Sequence, residues 1–227
     1  MNHANISVIL IIPSASYRTN PFIDAATKLD INILVITDKS QVFSEYYPDN
    51  VITMNFEHWQ ESIENIHEWS ERYDLKAVIG VDEESIILAA KLSESLCIEH
   101  NSLESVKLTK NKYLMRSELK KSGLKSPWFI RFSVHETPKD IFSELIFPCV
   151  IKPTFLSASQ GVLRVNSFEE FGKGCEMLSD LLAEEKVKKR GGDQANWILV
   201  EEYIPGKEVS IEGIVNNGKL KDLAIFD

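Results

Sequence analysis

The chain has 227 residues, of which 44% are hydrophobic, and its 34 acidic and 25 basic side chains give a net charge of −9. This composition excludes a disordered tail and is sufficient for one large domain or two small ones. The apolar runs are only as long as strands, so neither a membrane-spanning helix nor a secretory signal is expected. Cys97, Cys149 and Cys175 are far apart and lack metal-ligand spacing, which predicts reduced core thiols in a cytoplasmic protein.

Charge is distributed unevenly along the chain. Residues 1–105 contain 6 basic and 17 acidic side chains, whereas residues 106–227 contain 19 and 17, which gives balances of −11 and +2. Seven of the basic residues cluster in residues 106–125. The acidic half would repel a long polyanion, so we expect a compact anion such as a nucleotide rather than nucleic acid. A solvated basic helix face is the alternative interpretation.

The first half alternates strand and helix patterns. Apolar runs predict strands at residues 6–12, 31–37, 51–54 and 77–81. Helical spacing predicts a helix beginning near Asn20 with Pro21 in its first position, and helices over 57–72 and 83–95. This alternation predicts an α/β fold with a parallel sheet covered on both faces, as in a Rossmann-like domain.

A Rossmann-like domain raises the question of a dinucleotide cofactor. The turn after the first strand, Pro13–Arg18, contains no glycine, although dinucleotide sites need glycines there for close approach of the pyrophosphate. Asp38 ends the second strand, where a ribose-binding acid would stand, but an acid in that place is common. The sequence therefore argues against bound NAD.

The second half has a different pattern. A helix is predicted over 109–121, ended by Gly123 and Pro127, and another over 167–182. Short apolar runs predict strands at 148–153, 162–165, 197–204, 208–215 and 220–226. Asn216, Asn217 and Gly218 predict a hairpin turn between the last two strands. The polar stretch 184–196 predicts a mobile, solvated loop.

Two features of this half suggest a binding site. Lys152 stands in an otherwise apolar strand, where burial is costly unless the ammonium meets an anion, and the small residues up to Gly161 would let backbone amides reach that anion. Glu201, Glu208 and Glu212 could accept hydrogen bonds from ligand hydroxyls or amino groups. The alternatives are an edge-strand lysine that reaches solvent and ordinary exposed glutamates on half-buried strands.

Taken in order, these segments resemble the ATP-grasp superfamily, in the branch of biotin carboxylase, carbamoyl-phosphate synthetase and carboxylate–amine ligases. The segments are residues 110–116, 123–127, 147–161 and 200–213, and their amino-acid sequences are most similar to those of ligases that join L-amino acids. The resemblance implies a Rossmann-like N-terminal domain at 1–105 and the front part of an α+β ATP-grasp domain at 106–227. Within the latter, the linker helix would be 109–122, the first subdomain about 123–195 and the start of the second 196–227.

The resemblance also implies roles for individual residues. Lys112 and Lys152 would hold the α- and β-phosphates of ATP, under a lid formed by Ser157, Ser159 and Gly161. The adenine would lie against Glu201, Glu202 and Ile204, and its ribose against Glu208. Glu212 is equally explained as a structural strand residue.

The implied activity is an ATP- and Mg²⁺-dependent ligase that activates a small-molecule carboxylate as an acyl-phosphate for attack by an amine. In the family, a later segment supplies the magnesium ligands and an arginine for the acyl-phosphate. We therefore expect the metal ligands beyond Asp227, no catalytic residue within the chain, and an inactive fragment. The alternatives are a bicarbonate-activating enzyme similar to biotin carboxylase or carbamoyl-phosphate synthetase, and a non-catalytic nucleotide-binding module. A homo-oligomer is possible, and no membrane partner is expected.

Overall fold

The computed structural model describes residues 6–39 and 50–227. The chain divides into two compact units, with the boundary between Met115 and Arg116. The sequence places its domain boundary at residues 105 and 106, and the assignment of the units to those predicted domains stays a prediction. In the described part of the chain, no helix is both long and apolar enough to cross a membrane.

The first unit contains the predicted parallel sheet. Its strands are β1 (Ile6–Ile11), β2 (Asn32–Thr37), β3 (Val51–Thr53) and β4 (Asp74–Gly80). Within the described residues they pair in parallel in the order β3-β2-β1-β4. The α/β prediction for this half is thereby confirmed.

Helices accompany the sheet, and apolar residues pack on both of its faces. The helices are α1 (Thr19–Lys28), α2 (Ile63–Arg72), α3 (Ile86–Ser95) and α4 (Leu103–Lys110). Side chains of β1 point alternately to the two faces, so that Ile9 and Ile11 lie in one core and Leu10 in the other. The first core also contains Ile66 and Trp69 of α2 and Leu88 and Leu92 of α3.

Two helix predictions in this unit need correction. The predicted helix over 57–72 is a 3-10 helix, Phe56–Ser62, followed by α2, and His58 within the 3-10 helix has a non-helical backbone (φ −111°, ψ 35°). Helix α1 begins at Thr19, so Pro21 is its third residue rather than its first. Proline is tolerated there because the first amides of a helix have no partner within the helix.

Asp38 has a structural task in the first unit. Its Oδ1 accepts a hydrogen bond from the Ser14 amide at 2.5 Å, and its Oδ2 accepts one from Ser14 Oγ at 3.0 Å. This carboxylate therefore holds the loop that follows β1.

The predicted linker helix over 109–122 is wrong at its start. Helix α4 ends at Lys110, and a new helix, α5 (Lys112–Lys121), follows it. Asn111 between them is extended (φ −124°, ψ 109°), and its Oδ1 accepts hydrogen bonds from the amides of Tyr113 and Leu114 at 3.0 and 3.1 Å. Asparagine is a strong N-cap residue, and this cap starts the second helix.

The second unit contains an antiparallel sheet. Its strands are β5 (Phe129–Ser133), β6 (Cys149–Pro153), β7 (Leu163–Val165) and β8 (Trp197–Glu202). In the described residues they pair in the order β5-β8-β6-β7. Helix α6 (Phe168–Ala183) covers one face, and its buried residues are Phe171, Gly174, Cys175, Leu178 and Leu182.

Residues 184–196 are helical rather than a loop, which corrects the prediction, and most of them are exposed as predicted. They form helix α7 (Glu185–Gly191) and a 3-10 helix, Gly192–Asn196. Gly191 packs against the ring of Phe155, where a Cβ atom would overlap the ring, and Ala195 is also buried. The polar composition of this segment misled the prediction, because two small residues attach it to the core.

The last two strands form a separate hairpin of β9 (Ser210–Asn216) and β10 (Lys219–Phe226). Asn217 and Gly218 have φ values of 49° and 74°, as a tight hairpin turn requires, so the predicted turn is confirmed. β9 begins two residues later than predicted, and β8 ends at Glu202 rather than at Ile204. The mixed α/β fold therefore combines a parallel sheet with antiparallel strands.

Candidate functional site

Lys152 lies in the interior of the second sheet. Strand β6 is flanked by β8 and β7, so the interpretation of Lys152 as an edge-strand residue is wrong. Cys149 and Ile151 of β6 are fully buried on the side of α6, and Lys152 therefore projects from the opposite face. Only 14% of its side chain is exposed.

The ammonium of Lys152 contacts the carboxylate of Glu201 on the neighbouring strand. β6 and β8 are antiparallel, with Val150 opposite Glu201 and Lys152 opposite Leu199, so both charged side chains lie on one face of the sheet. Lys152 Nζ donates to Glu201 Oε1. Glu201 is 7% exposed, so the ion pair is largely withdrawn from water.

Arg116 of α5 completes this cluster. Its Nε donates to Glu201 Oε2 at 3.2 Å, and 22% of the arginine side chain is exposed. One carboxylate thus faces two cations, and the cluster of Arg116, Lys152 and Glu201 has a net charge of +1. A buried excess charge is costly unless an anion compensates it. An ammonium has three donors, so Lys152 can hold a phosphate oxygen and Glu201 at the same time.

The loop 154–161 after β6 has a buried base and an exposed tip. Thr154, Phe155 and Leu156 are 1%, 7% and 3% exposed, whereas Ser159 is exposed and Ser157 is half-buried. Ala158, Ser159 and Gly161 have φ values of 53°, 57° and 70°, which only glycine adopts without strain. The base fixes the loop beside Lys152, and the tip carries the predicted lid residues.

Gly161 has a second reason to be glycine. A Cβ atom at this position would lie 2.9 Å from side-chain carbons of Leu178 and Leu181. The end of the loop is therefore packed against α6. From the sequence, Gly161 was explained only by the close approach of a ligand, and this packing contact was missed.

In the segment predicted to contact adenine, at the end of β8, two backbone amides donate hydrogen bonds to other parts of the backbone. The Glu202 amide donates to the Trp128 carbonyl at 2.8 Å. The Tyr203 amide donates to the Pro148 carbonyl at 3.4 Å, and Ile204 is 67% exposed. The amides of Glu202 and Tyr203 are therefore already used within the protein, and the adenine contact of this segment stays a prediction.

The other predicted site residues come from other segments of the chain. Glu208 and Glu212 are exposed, and Glu212 lies on β9 opposite Ala224. Lys112 is the first residue of α5 and belongs to the first unit. The ligand contacts of these residues stay predictions.

Sequence reasoning missed two residues near the site. Arg116 was counted only as one of the seven basic residues in 106–125. The other six are lysines, and arginine is the residue that favours buried ion pairs. Arg164 of β7 places its guanidinium 4.0 Å from the centroid of the ring of Tyr203, the residue that follows β8. These two residues are distant in sequence, and the local pattern gives no sign of their contact.

The cysteines and acids of the described residues do not form a metal site. No group of three or more His, Cys, Asp or Glu in residues 6–39 and 50–227 could hold a metal ion. Cys149 and Cys175 are buried free thiols, as predicted. Cys97 is exposed, so the prediction of a core thiol is wrong there: it lies just past the C-terminal end of α3, with a φ of 54°.

Part of the second unit is similar to a known protein family. Residues 145–227 match the family described as ATP-grasp domain, which confirms the resemblance. The alanine–anticapsin ligase of Bacillus subtilis (strain 168) is 26% identical, over 86% of this chain and 45% of that ligase. The chain spans about half the length of the curated relatives that it matches over most of its length.

Solved structures show the same fold. The L-amino acid ligase from Bacillus licheniformis superposes with a TM-score of 0.73 at 21% identity, over 98% of this chain and 52% of that one. The ADP complex of N5-carboxyaminoimidazole ribonucleotide synthetase superposes with a TM-score of 0.67 at 17% identity, over 98% and 53%.

Proposed function

We propose that this chain is the nucleotide-binding part of an ATP-dependent ligase that joins a carboxylate to an amine, with amino acids as the favoured substrates. The observation that carries the proposal is the buried Lys152 with its excess positive charge, inside the segment that matches an ATP-grasp domain. The similarity to the alanine–anticapsin ligase supports amino acids.

The proposed reaction has two steps. An oxygen of the substrate carboxylate attacks the γ-phosphorus of ATP, the bond from that phosphorus to the β,γ-bridging oxygen breaks, and ADP leaves. The amine then attacks the carbonyl carbon of the acyl-phosphate, inorganic phosphate leaves, and the nitrogen loses a proton. Positioning and neutralisation of phosphate charge dominate such transfers.

The residues of this chain would bind and orient the nucleotide. Lys152 and Lys112 would hold the α- and β-phosphates, and the loop tip with Ser157, Ser159 and Gly161 would cover them. The backbone of Glu202 and Ile204 would contact the adenine, next to Glu201. Glu208 would accept hydrogen bonds from the ribose hydroxyls.

The proposal includes Mg²⁺ only as the ion that accompanies ATP in solution as MgATP. The described residues supply no ligand set that fits it, so we derive no step through the metal. A cytoplasmic location and a homo-oligomer likewise remain proposals.

Calorimetric titration with ATP tests the nucleotide site. We expect Lys152→Ala to weaken ATP binding more than tenfold, because the charge-assisted hydrogen bond it removes is worth about 1.5–3 kcal/mol. Lys173→Ala is the matched control, since this lysine is 69% exposed and pairs with Glu169 on the surface of α6. Equal affinity of Lys152→Ala and the wild type would remove Lys152 from the site.

Phosphate release by the protein at its full natural length tests the reaction class. We expect release from MgATP to depend on amino acids supplied in pairs. Release with bicarbonate instead would favour the bicarbonate-activating alternative. Nucleotide binding without release on either substrate would favour a non-catalytic module.

A further inference from the structure

We infer that Arg116 is a positioning residue for Lys152, and that it acts through Glu201. This inference rests on the proposed function, because it concerns how the same lysine meets a nucleotide phosphate. The contacts that carry it are Arg116 Nε to Glu201 Oε2 at 3.2 Å, and Lys152 Nζ to Glu201 Oε1. Each cation thus uses a different oxygen of one carboxylate.

The separate use of the two oxygens fixes the geometry of the cluster. Arg116 holds Oε2, so the carboxylate cannot rotate to present both oxygens to Lys152. The ammonium therefore keeps one donor on Oε1 and has two further donors for a ligand. Since β6 and β8 fix the backbones of Lys152 and Glu201, Arg116 is the member of the cluster that comes from outside the sheet.

Charge leads to the same conclusion. With Arg116, the cluster has a net charge of +1; without it, Glu201 and Lys152 form a neutral pair. The side chains of Arg116, Lys152 and Glu201 are only 22%, 14% and 9% exposed, so solvent screens their charges weakly. A neutral pair attracts a phosphate less. Without Arg116, the carboxylate of Glu201 would interact with Lys152 alone, and this stronger hold on the ammonium would oppose its contact with a phosphate.

The inference is tested by a double-mutant cycle with ATP affinity as the readout. The variants are Arg116→Met, Lys152→Met, both together, and Arg116→Lys. Lys121→Met is the matched control, because Lys121 is on the same helix and 79% exposed. We expect Arg116→Met to weaken ATP binding about tenfold through the lost charge, and Arg116→Lys to recover most of that loss. In the Lys152→Met background, Arg116→Met should weaken ATP binding clearly less than in the wild type, because only the direct attraction between the arginine charge and the phosphate is then lost.

The outcomes separate this inference from the proposed function. Wild-type affinity for Arg116→Met, or the same loss with and without Lys152, would overturn the positioning role while leaving the nucleotide site intact. No ATP binding by the wild type would overturn the proposed function instead. If Arg116→Met lowers the melting temperature of the protein, all variants of the cycle are titrated well below the melting temperature of the least stable one.

Discussion

At the scale of single residues, burial determines the chemistry of two thiols. Cys149 and Cys175 are 0% and 3% exposed, on β6 and α6. Burial raises the pKa of Cys149 from 9.0 to about 11 and that of Cys175 from 9.0 to about 12. The thiolate is the reactive form of cysteine, so both side chains behave as small apolar groups at neutral pH.

These thiols predict a loss of stability in alkaline solution. In the unfolded chain each thiol releases its proton near pH 9.0, whereas the folded protein retains it, so the free energy of unfolding falls as pH rises from 9.0 towards 11. Each thiol contributes a slope of up to about 1.4 kcal/mol per pH unit. Urea unfolding at several pH values should therefore give a shallower fall for Cys175→Ala than for the wild type.

Cys97→Ala is the control for this measurement. Cys97 is exposed, so this variant removes a thiol without removing a buried one. Identical slopes for Cys175→Ala and the wild type would show that other groups cause the alkaline loss.

The sequence drew attention to Lys152 and Glu201 but predicted neither their pairing nor the part of Arg116. Lys152 was conspicuous because it interrupts an apolar strand, and Glu201 because it ends one. Their contact spans 49 positions in the chain and depends on the register of β6 against β8, which is set by tertiary packing. Arg116 joins them from a helix, and nothing in its local sequence indicates that partner.

At the scale of elements, α6 contains two glycines with opposite surroundings. A Cβ atom at Gly174 would lie 2.5 Å from Ile151 Cδ1, whereas one at Gly172 would meet nothing within 4 Å. Gly174 therefore permits the close approach of α6 to β6. Gly172 only adds backbone freedom to the unfolded chain.

Alanine substitutions should separate these two glycines. We expect Gly172→Ala to stabilise the protein by about 0.5–1 kcal/mol, because alanine has the higher helix propensity. Gly174→Ala should destabilise it by about 1–3 kcal/mol through overpacking against Ile151. Denaturant unfolding of both variants measures the difference, and stabilisation by Gly174→Ala would contradict the close packing of α6 on β6.

Elements were predicted well where one periodic pattern was strong. The parallel strands and the hairpin turn follow from continuous apolar runs and from Asn217 with Gly218. The break at Asn111 was missed because the basic residues on both sides continue a helical pattern, although the N-cap residue was visible. The helix α7 was missed because Gly191 is held by Phe155, a contact across 36 positions that composition does not show.

At the scale of the whole molecule, the two units have separate cores, and the predicted nucleotide contacts lie mostly in the second. Hydrogen exchange with and without ATP should show this division. We expect slower exchange in β6, β8 and loop 154–161 when ATP is bound, because bound ligand suppresses local opening. Peptides from α2, whose Ile66 and Trp69 lie in the core of the first unit, serve as the reference.

Mass spectrometry of peptides gives the readout. Equal protection of α2 and β6 would contradict a nucleotide site centred on the second sheet. Absence of protection in β6 and β8, with ATP bound by calorimetry, would place the nucleotide elsewhere in the protein.

The order of features along the chain predicted more of the molecule than any one feature did. Strand and helix alternation predicted the first sheet, and the succession of segments around Lys152 and Glu201 indicated the family of the second unit. The boundary of the compact units was not predictable in the same way. It falls within α5, between Met115 and Arg116, and no change of composition marks that position.

The buried ion pair on β6 and β8 also has a consequence for how the chain folds. Strands show alternate side chains to opposite faces, so a slip of β6 by one residue would turn Lys152 towards Phe171 and Leu178 and expose Ile151. That arrangement would leave Glu201 without its lysine and place an unpaired ammonium among hydrocarbons, at a cost of several kcal/mol. The pair that we assign to ligand binding should therefore also favour the native register of β6 and β8 over misaligned pairings during folding.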